Sequence, residues 1–423
     1  MKKKFGILVI ILGIIITFDT WIFTKPNENI STMSQYSQLI ASIALVLFAM
    51  INFISTRHKS LDDIFDGMDK SYIYHKYLSI SALLLVLIHD ITIYIGEGFA
   101  FGDMLKAPLD KYALLGRISM YLFIFLVIIA IVAKKLNYQR WKNIHKFMIL
   151  AYAMGIYHYY GSANYDTFSL SSYSIWMNLT NLIGIASAIY SIFLYEAVAF
   201  KYRFKVEKLQ LVAKGTLEIT GKSIGRSMKF VPGQFAFLKI PNGKSKFNSH
   251  PFTISQAPRK GQIQFTIKGL GDDTNKLFKT IKLGDEFKVA GPHGKFDYKE
   301  GRKNQIWIAG GIGVTPFRSF MQAGIPKNYS VDFFYAYNNP EEGAYTAELS
   351  SLANDENVRL HLFNSQKNGF LNVNAIKKYM NNIGAPIDVY FCGPQPMRNS
   401  LMQQFEDSDL NINDFHYEHF QFK

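Results

Sequence analysis

The chain has 423 residues, 49% hydrophobic and 15% aromatic, with a formal net charge of +14 and one cysteine, Cys392. A single thiol excludes an internal disulfide framework and any cysteine-built zinc or iron–sulfur site, and the length points to two or three domains. The basic balance suits nucleic acid or an anionic membrane surface, and where the lysines fall decides between them.

In chain order, six apolar runs fill the first half, at about 5–24, 36–56, 72–95, 112–133, 144–160 and 174–199. Each approaches the roughly 20 residues of a spanning helix. The first follows "MKKK" but is long and has no small-residue cleavage site after it, so a retained helix is expected. Basic residues cluster at Lys2, Lys3 and Lys4, at Arg57 and Lys59, at Lys134, Lys135, Arg140 and Lys142, and at Lys201, Arg203 and Lys205. The alternate loops, such as "NENISTMSQYS" and "GSANYDTFSLSSYS", hold almost none. That asymmetry predicts a multi-pass protein of the cell membrane with both ends cytoplasmic, and argues against nucleic acid as partner.

After about residue 200, Gly and Pro punctuate short β-branched and aromatic segments, the texture of a soluble region. Segments such as "LQLVAKGTLEITG", "QFAFLKI" and "QIQFTIKG" predict a small antiparallel β-barrel. From 304 the order becomes strand, Gly turn, helix, strand, which predicts a Rossmann-like α/β sheet that binds a dinucleotide. The fold expected is thus a multi-domain membrane protein: a six-helix transmembrane bundle over 1–203, a β-barrel over 204–300 and an α/β domain over 301–423.

Two of the apolar runs carry paired histidines. His75 and His89 lie fourteen positions apart in the third run, and His145 and His158 thirteen apart in the fifth. Fourteen residues of helix rise about 21 Å, and with six spans these two helices run the same way, so two rings meet at each of two depths. Neutral imidazole ligates haem iron well, and facing helices of a bundle are where such sites are built. The competing readings are hydrogen-bonded packing and a proton or substrate path. At about 100° per residue, fourteen positions return to within about 40° of one helix face while thirteen miss by about 140°, so the fifth helix needs a kink or bulge, expected near Gly155.

"HKYLSISALLLVLIH" and "WKNIHKFMILAYAMGIYH" resemble the transmembrane haem domain shared by NADPH oxidases and ferric reductases, and the resemblance runs through nearly the whole chain. Bacterial single-chain NADPH oxidases resemble it most, since no calcium-binding extension precedes the first helix. The resemblance implies that His75 pairs with His145 on an inner b-type haem and His89 with His158 on an outer one.

In the soluble half, "PGQF" and "HPFTIS" resemble the flavin motif of the ferredoxin-reductase superfamily. That likeness implies FAD binding by His250, Pro251, Phe252 and Thr253, with His250 toward the pyrophosphate, Phe252 on the ring system and Thr253 near the reactive nitrogen. Read from the residues alone, the segment is equally an edge strand opened by proline. "KGLGDDTNKLF" brings Lys268 and Thr274 to a helix start, where ordinary capping competes with binding of the flavin diphosphate. "GPHGKF" resembles the closing turn of the barrel, its glycines structural. In "IAGGIGVTPF", Gly310, Gly311 and Gly313, with Thr315 and Pro316, would let backbone approach a pyrophosphate. With "VYFCGPQPM" they resemble the nicotinamide half of the superfamily, which implies NADH or NADPH contacts by Cys392, Gly393 and Pro394; a small buried hydrophobe is the plainer reading of Cys392. In the tail "FHYEHFQFK", Phe420 matches the aromatic that covers the flavin, Phe422 is its rival, and a last strand packing its aromatics into the sheet is the alternative.

The resemblance implies a chain of electron carriers: NAD(P)H, FAD, two haems, then an acceptor outside, O2 or a ferric chelate, with no protein partner required. A donor module serving another protein and a histidine-lined transporter remain as alternatives.

Overall fold

Where no water reaches the backbone, each peptide group must find its partner within its own segment, so apolar runs become helices. The helices of the first half are α1 (Phe5–Thr24), α2 (Thr32–Ser55), the short α3 (Ser60–Phe65), α4 (Met68–Gly96), α5 (Lys111–Val132), α6 (Tyr138–His145), α7 (Met148–Ser162), α8 (Ser172–Ile189) and α9 (Tyr195–Ala199), with a π-helical turn at Tyr190–Leu194 joining the last two; α3 and most of α6 are polar segments between the apolar runs. Serines set two of the starts: the Ser31 and Ser171 hydroxyls accept the backbone N–H of Ser34 and Ser174. The structure is a computed structural model that describes residues 5–24, 30–96, 98, 110–132, 138–163, 165–241, 243–244, 246–355, 357–380 and 385–418. Among the described residues five helical segments are long and apolar enough to cross a membrane: α1, α2, α4, α5 and the run Ser172–Ala199.

The fifth apolar run is divided. His145 ends α6, Lys146 and Phe147 form a turn, and α7 is only 15 residues long. Through the break the amides of Phe147, Ile149 and Leu150 reach back three residues, to the carbonyls of Ile144, Lys146 and Phe147. Winding at about three residues per turn adds about 20° per residue and recovers part of the missing rotation. The distortion therefore lies beside His145, whereas Gly155, where it was expected, sits inside continuous helix. Gly155 serves close packing instead: an added Cβ would lie 3.4 Å from Ser119 Oγ, and that hydroxyl donates to the Ala151 carbonyl at 2.7 Å.

The chain divides into two compact units, Met1–Glu196 and Ala197–Lys423. The second begins with six strands, β1 (Tyr202–Ala213), β2 (Thr216–Ser223), β3 (Phe235–Ile240), β4 (Phe247–Thr253), β5 (Gln262–Lys268) and β6 (Glu286–His293), and one helix, α10 (Asp272–Thr280). All pairs are antiparallel, in the order β4-β3-β6-β1-β2-β5, and a bridge between Ile254 and Phe265 joins the two edges. Alternation explains which side is core: Ile263, Phe265 and Ile267 of β5 all point inward and are fully buried.

Five parallel strands follow, β7 (Asn304–Gly310), β8 (Ser330–Tyr337), β9 (Val358–Asn364), β10 (Ile387–Cys392) and β11 (Ile412–Tyr417), linked by α11 (Thr315–Gln322), α12 (Thr346–Asp355), α13 (Ser365–Asn368), α14 (Val373–Tyr379) and α15 (Gln395–Glu406). Covered on both faces, β10 is buried along its whole length. Trp307, Phe317, Phe320 and Phe333 fill one face, and Ile306, Ile308, Phe334 and Phe391 the other. The order β11-β10-β7-β8-β9 reverses direction at β7, so the crevice beyond the carboxyl ends of β7 and β10 is the switch point at which such sheets bind ligands.

Candidate functional site

In the first unit the four histidines meet two by two. The ring centres of His75 and His145 are 6.3 Å apart, and those of His89 and His158 are 6.1 Å apart. Two imidazole nitrogens, each about 2 Å from one metal on opposite sides, put their ring centres about 6 Å apart. The second nitrogens support the same arrangement. His89 Nδ1 donates to the Ser37 carbonyl at 3.0 Å, and the Ser37 hydroxyl donates to the His89 carbonyl at 2.8 Å. His158 Nδ1 donates to the Tyr112 carbonyl at 2.9 Å, with Ser162 Oγ at 3.1 Å. Such donation fixes the tautomer and leaves Nε2 as the free ligand atom. His75 Nδ1 has Ser55 Oγ at 3.4 Å, while His145 Nδ1 is buried without a hydrogen-bond partner among the described residues and its ring stacks on Trp141. Gly116 keeps α5 close: a Cβ there would come within 2.7 Å of the His158 ring.

No group of three or more His, Cys, Asp or Glu suited to a metal occurs among the described residues. Two axial imidazoles suffice for a haem, whose remaining ligands belong to the porphyrin, so the residues present fit that group.

At the switch point of the parallel sheet, the two glycine motifs interlock. A Cβ on Gly313 would lie 2.1 Å from the Cys392 carbonyl oxygen, and one on Gly310 2.7 Å from Pro394 Cδ. Gly393 also passes close, its added Cβ 3.0 Å from Gly310. Gly311 adopts φ +55°, a left-handed conformation open to glycine. Thr315 is buried, its hydroxyl donating to the Ile312 carbonyl, and Pro316 stands in the first turn of α11. Cys392 is fully buried, and burial first, the neighbouring Glu418 second, pushes its thiol well above the ordinary range. Nothing in the sequence had singled out Glu418, a 6%-exposed carboxylate that also lies 3.1 Å from where a Gly294 Cβ would be.

The flavin motif occupies β4, an edge strand in the sheet order, so Pro251 stands where a missing N–H is tolerated. Thr253 is buried opposite Phe235, and Phe252 packs against the core of the antiparallel sheet. His250 Nε2 lies 3.0 Å from Asp273 Oδ2, so the histidine is tied to the first turn of α10. There Thr274 caps: its hydroxyl accepts the amides of Leu270 and Gly271 at 3.1 Å. Lys268 is drawn away from this group, to Glu342 at 2.9 Å. Phe420 and Phe422 lie outside the described residues. The last described strand, β11, packs Phe415 and Tyr417 against the sheet.

Known proteins divide the chain in the same way. Residues 40–156 match the family described as ferric reductase like transmembrane component, 201–304 an FAD-binding domain, and 307–403 an oxidoreductase NAD-binding domain. A flavohemoprotein of Halalkalibacterium halodurans is 30% identical over 219 residues, 45% of this chain and 52% of that protein. The electron transfer component of toluate 1,2-dioxygenase from Pseudomonas putida is 23% identical over 231 residues, 52% of this chain and 67% of its own. This chain thus spans about half the length of the flavohemoprotein it matches. The flavohem-like FAD/NAD binding domain of a nitric oxide dioxygenase from Vibrio cholerae O1 biovar El Tor aligns with a TM-score of 0.45 and 20% identity, over 51% of this chain and 97% of that one. The three domain matches give the chain the architecture of the NADPH oxidase and ferric reductase type: membrane helices followed by FAD-binding and NAD-binding domains.

Proposed function

We propose that the chain carries electrons across the cell membrane, from NAD(P)H on the cytoplasmic side through FAD and two bis-histidine b-type haems to an acceptor outside, with O2 giving superoxide as the first product. The observation that carries this reading is the pair of histidine pairs, with ring centres 6.3 and 6.1 Å apart. The bound cofactors supply the redox chemistry: hydride arrives as two electrons and haem iron takes one, so a flavin stands between. The protein's part is to bind and orient. His75 and His145 would hold the inner haem and His89 and His158 the outer, with Ser37 and Tyr112 fixing the tautomers of the outer pair. The antiparallel sheet, its edges joined at Ile254 and Phe265, supports the barrel reading of the FAD domain. His250, Pro251, Phe252 and Thr253 would line the flavin, and the free amides at the start of α10 its diphosphate. Gly310, Gly311, Gly313, Thr315, Pro316, Cys392, Gly393 and Pro394 would shape the nicotinamide cleft, and Phe420 would cover the flavin face. In the membrane, α7 with α6 would serve as the sixth span, and the basic clusters would face the cytoplasm.

The match to a ferric reductase like component favours a second acceptor, a ferric chelate, reached by the same path. An absorption spectrum of the purified protein before and after NADH tests the common part. Haem bands that sharpen and a flavin band that bleaches are expected; no haem absorbance would overturn the reading. Reduction of cytochrome c that superoxide dismutase abolishes would then select O2 over iron.

A further inference from the structure

One helical turn past the glycine motif, Arg318 is 6% exposed, and its guanidinium is shared between the two lobes of the second unit. From the antiparallel lobe it receives the Ser255 carbonyl at 2.7 Å, Gln264 Oε1 at 3.1 Å and Glu218 Oε2 at 3.2 Å. From the nucleotide lobe come Glu348, whose two oxygens accept Nε at 2.9 and 3.0 Å, and the Tyr345 ring, 4.0 Å from the guanidinium carbon. Tyr345 in turn donates to Glu218 at 2.7 Å and has Thr266 Oγ1 at 2.7 Å, so both ends of the network are tied across the same seam. Two neighbours extend it: the Ser319 hydroxyl donates to the Gln256 carbonyl at 2.7 Å, and Gln322 Oε1 accepts the Ala257 amide at 3.0 Å. Residues 255, 256 and 257 are thereby all held by α11, one residue beyond the strand that ends at Thr253.

Apolar packing serves cohesion as well as a buried ion pair does or better, because the pair must first repay its own desolvation. What a network of several convergent hydrogen bonds on one buried cation adds is a single geometry. This one joins the segment after "HPFT" to the helix that opens from "GGIGVTP". We propose that Arg318 is a positioning residue that fixes the nicotinamide turn in register with the flavin strand, and so sets the distance over which hydride passes, while touching neither cofactor. The proposal rests on the FAD and NAD(P)H reading above. In that step two electrons and a proton leave NADH, giving NAD+, and enter FAD. Since a displacement of about 1 Å can cost about 10²-fold in rate, a loosened seam would act on transfer more than on binding.

The test uses the full-length purified protein without oxygen: wild type, Arg318→Gln, Arg318→Lys and Tyr345→Phe. Flavin bleaching is followed at saturating NADH by stopped flow, alongside FAD content, NAD+ affinity by titration, and hydrogen exchange over residues 254–257. Expected for Arg318→Gln is bleaching slowed by about 10²-fold, with FAD content and NAD+ affinity unchanged and exchange over 254–257 faster. Arg318→Lys should recover part of the rate. Should Arg318→Gln fail to fold, Tyr345→Phe decides, since it deletes one hydroxyl and should slow bleaching by about 3- to 10-fold. Wild-type rates in the variants, or a slowing that merely follows loss of FAD, overturn the proposal. If the wild type itself fails to bleach with NADH, the cofactor reading fails and this inference with it.

Discussion

His89 and His158 each give the Nδ1 hydrogen to a backbone carbonyl of a neighbouring helix, which leaves their Nε2 atoms available to the iron proposed between them. Removing one ligand should unseat that haem alone. In His89→Leu the haem content is expected to fall from about two per chain to about one, while the haem on the His75–His145 pair still reduces with NADH. Heme analysis and steady-state spectra check this; unchanged content and full activity in both His89→Leu and His158→Leu would sink the assignment. A second residue bears on the expected nucleotide choice. The Glu342 carboxylate follows β8, and the Lys268 ammonium bonded to it, together with Asn338 and Asn339, holds its pKa below the usual range. It is therefore an anion at neutral pH, and Glu341 beside it is already paired with Lys214 at 2.9 Å. An anion in this place suits ribose hydroxyls and repels the 2′-phosphate that distinguishes NADPH, for which an arginine would be the better partner. NADH is expected to serve at least as well as NADPH, and a half-saturating concentration ten or more times lower for NADPH would contradict it.

The turn from β7 into α11 works as an element because it has no room for a side chain at Gly310 or Gly313. A Cβ on Gly313 meets backbone, the Cys392 carbonyl at 2.1 Å, which cannot swing aside, so Gly313→Ala must part β7 from β10. The expected cost is about 1–3 kcal/mol of stability, with the half-saturating NADH concentration raised at least tenfold and FAD content retained. Thermal unfolding, NADH titration and flavin absorbance read the three separately, and normal NADH binding would show that the turn does not carry the nucleotide. Such glycine turns are legible in a sequence because steric demand selects one residue type at fixed spacing. The edge position of Pro251 was legible for the same reason: its missing N–H confines it. The break at Lys146–Phe147 was not, because a tightened turn leaves no compositional mark, and the thirteen-residue spacing required a distortion without saying where. Ser37 was equally hidden, 52 positions before the histidine it orients, and so was Arg318, whose partners Ser255 and Gln264 lie 63 and 54 positions away. Contacts of that reach come from topology, which local periodicity does not encode.

Over the whole molecule, the two ends of the proposed path differ in kind. The nucleotide end is built from two interlocked motifs, whereas the expected outer loops are short and offer little surface for docking a protein or a large chelate. That contrast favours a small acceptor, and the ligation proposed for the outer haem constrains how it is reduced. If His89 and His158 held one iron between them, as their 6.1 Å ring separation would allow, both axial positions would be taken, unlike a globin, which leaves one free. Electrons would leave one at a time through the porphyrin edge to O2 held nearby, and superoxide is the one-electron product. The same ligation predicts resistance to anions that attack open iron, since cyanide would have to displace a histidine anchored through Ser37 or Tyr112. The measurement is NADH oxidation in air by the purified protein, with and without cyanide at a concentration that saturates a five-coordinate haem, while the haem spectrum is recorded. Unaltered turnover and an unshifted band are expected, together with cytochrome c reduction that superoxide dismutase suppresses. Strong inhibition with a shifted band would mean an open coordination site, and the bis-histidine assignment of the outer haem would fall together with the edge route to oxygen.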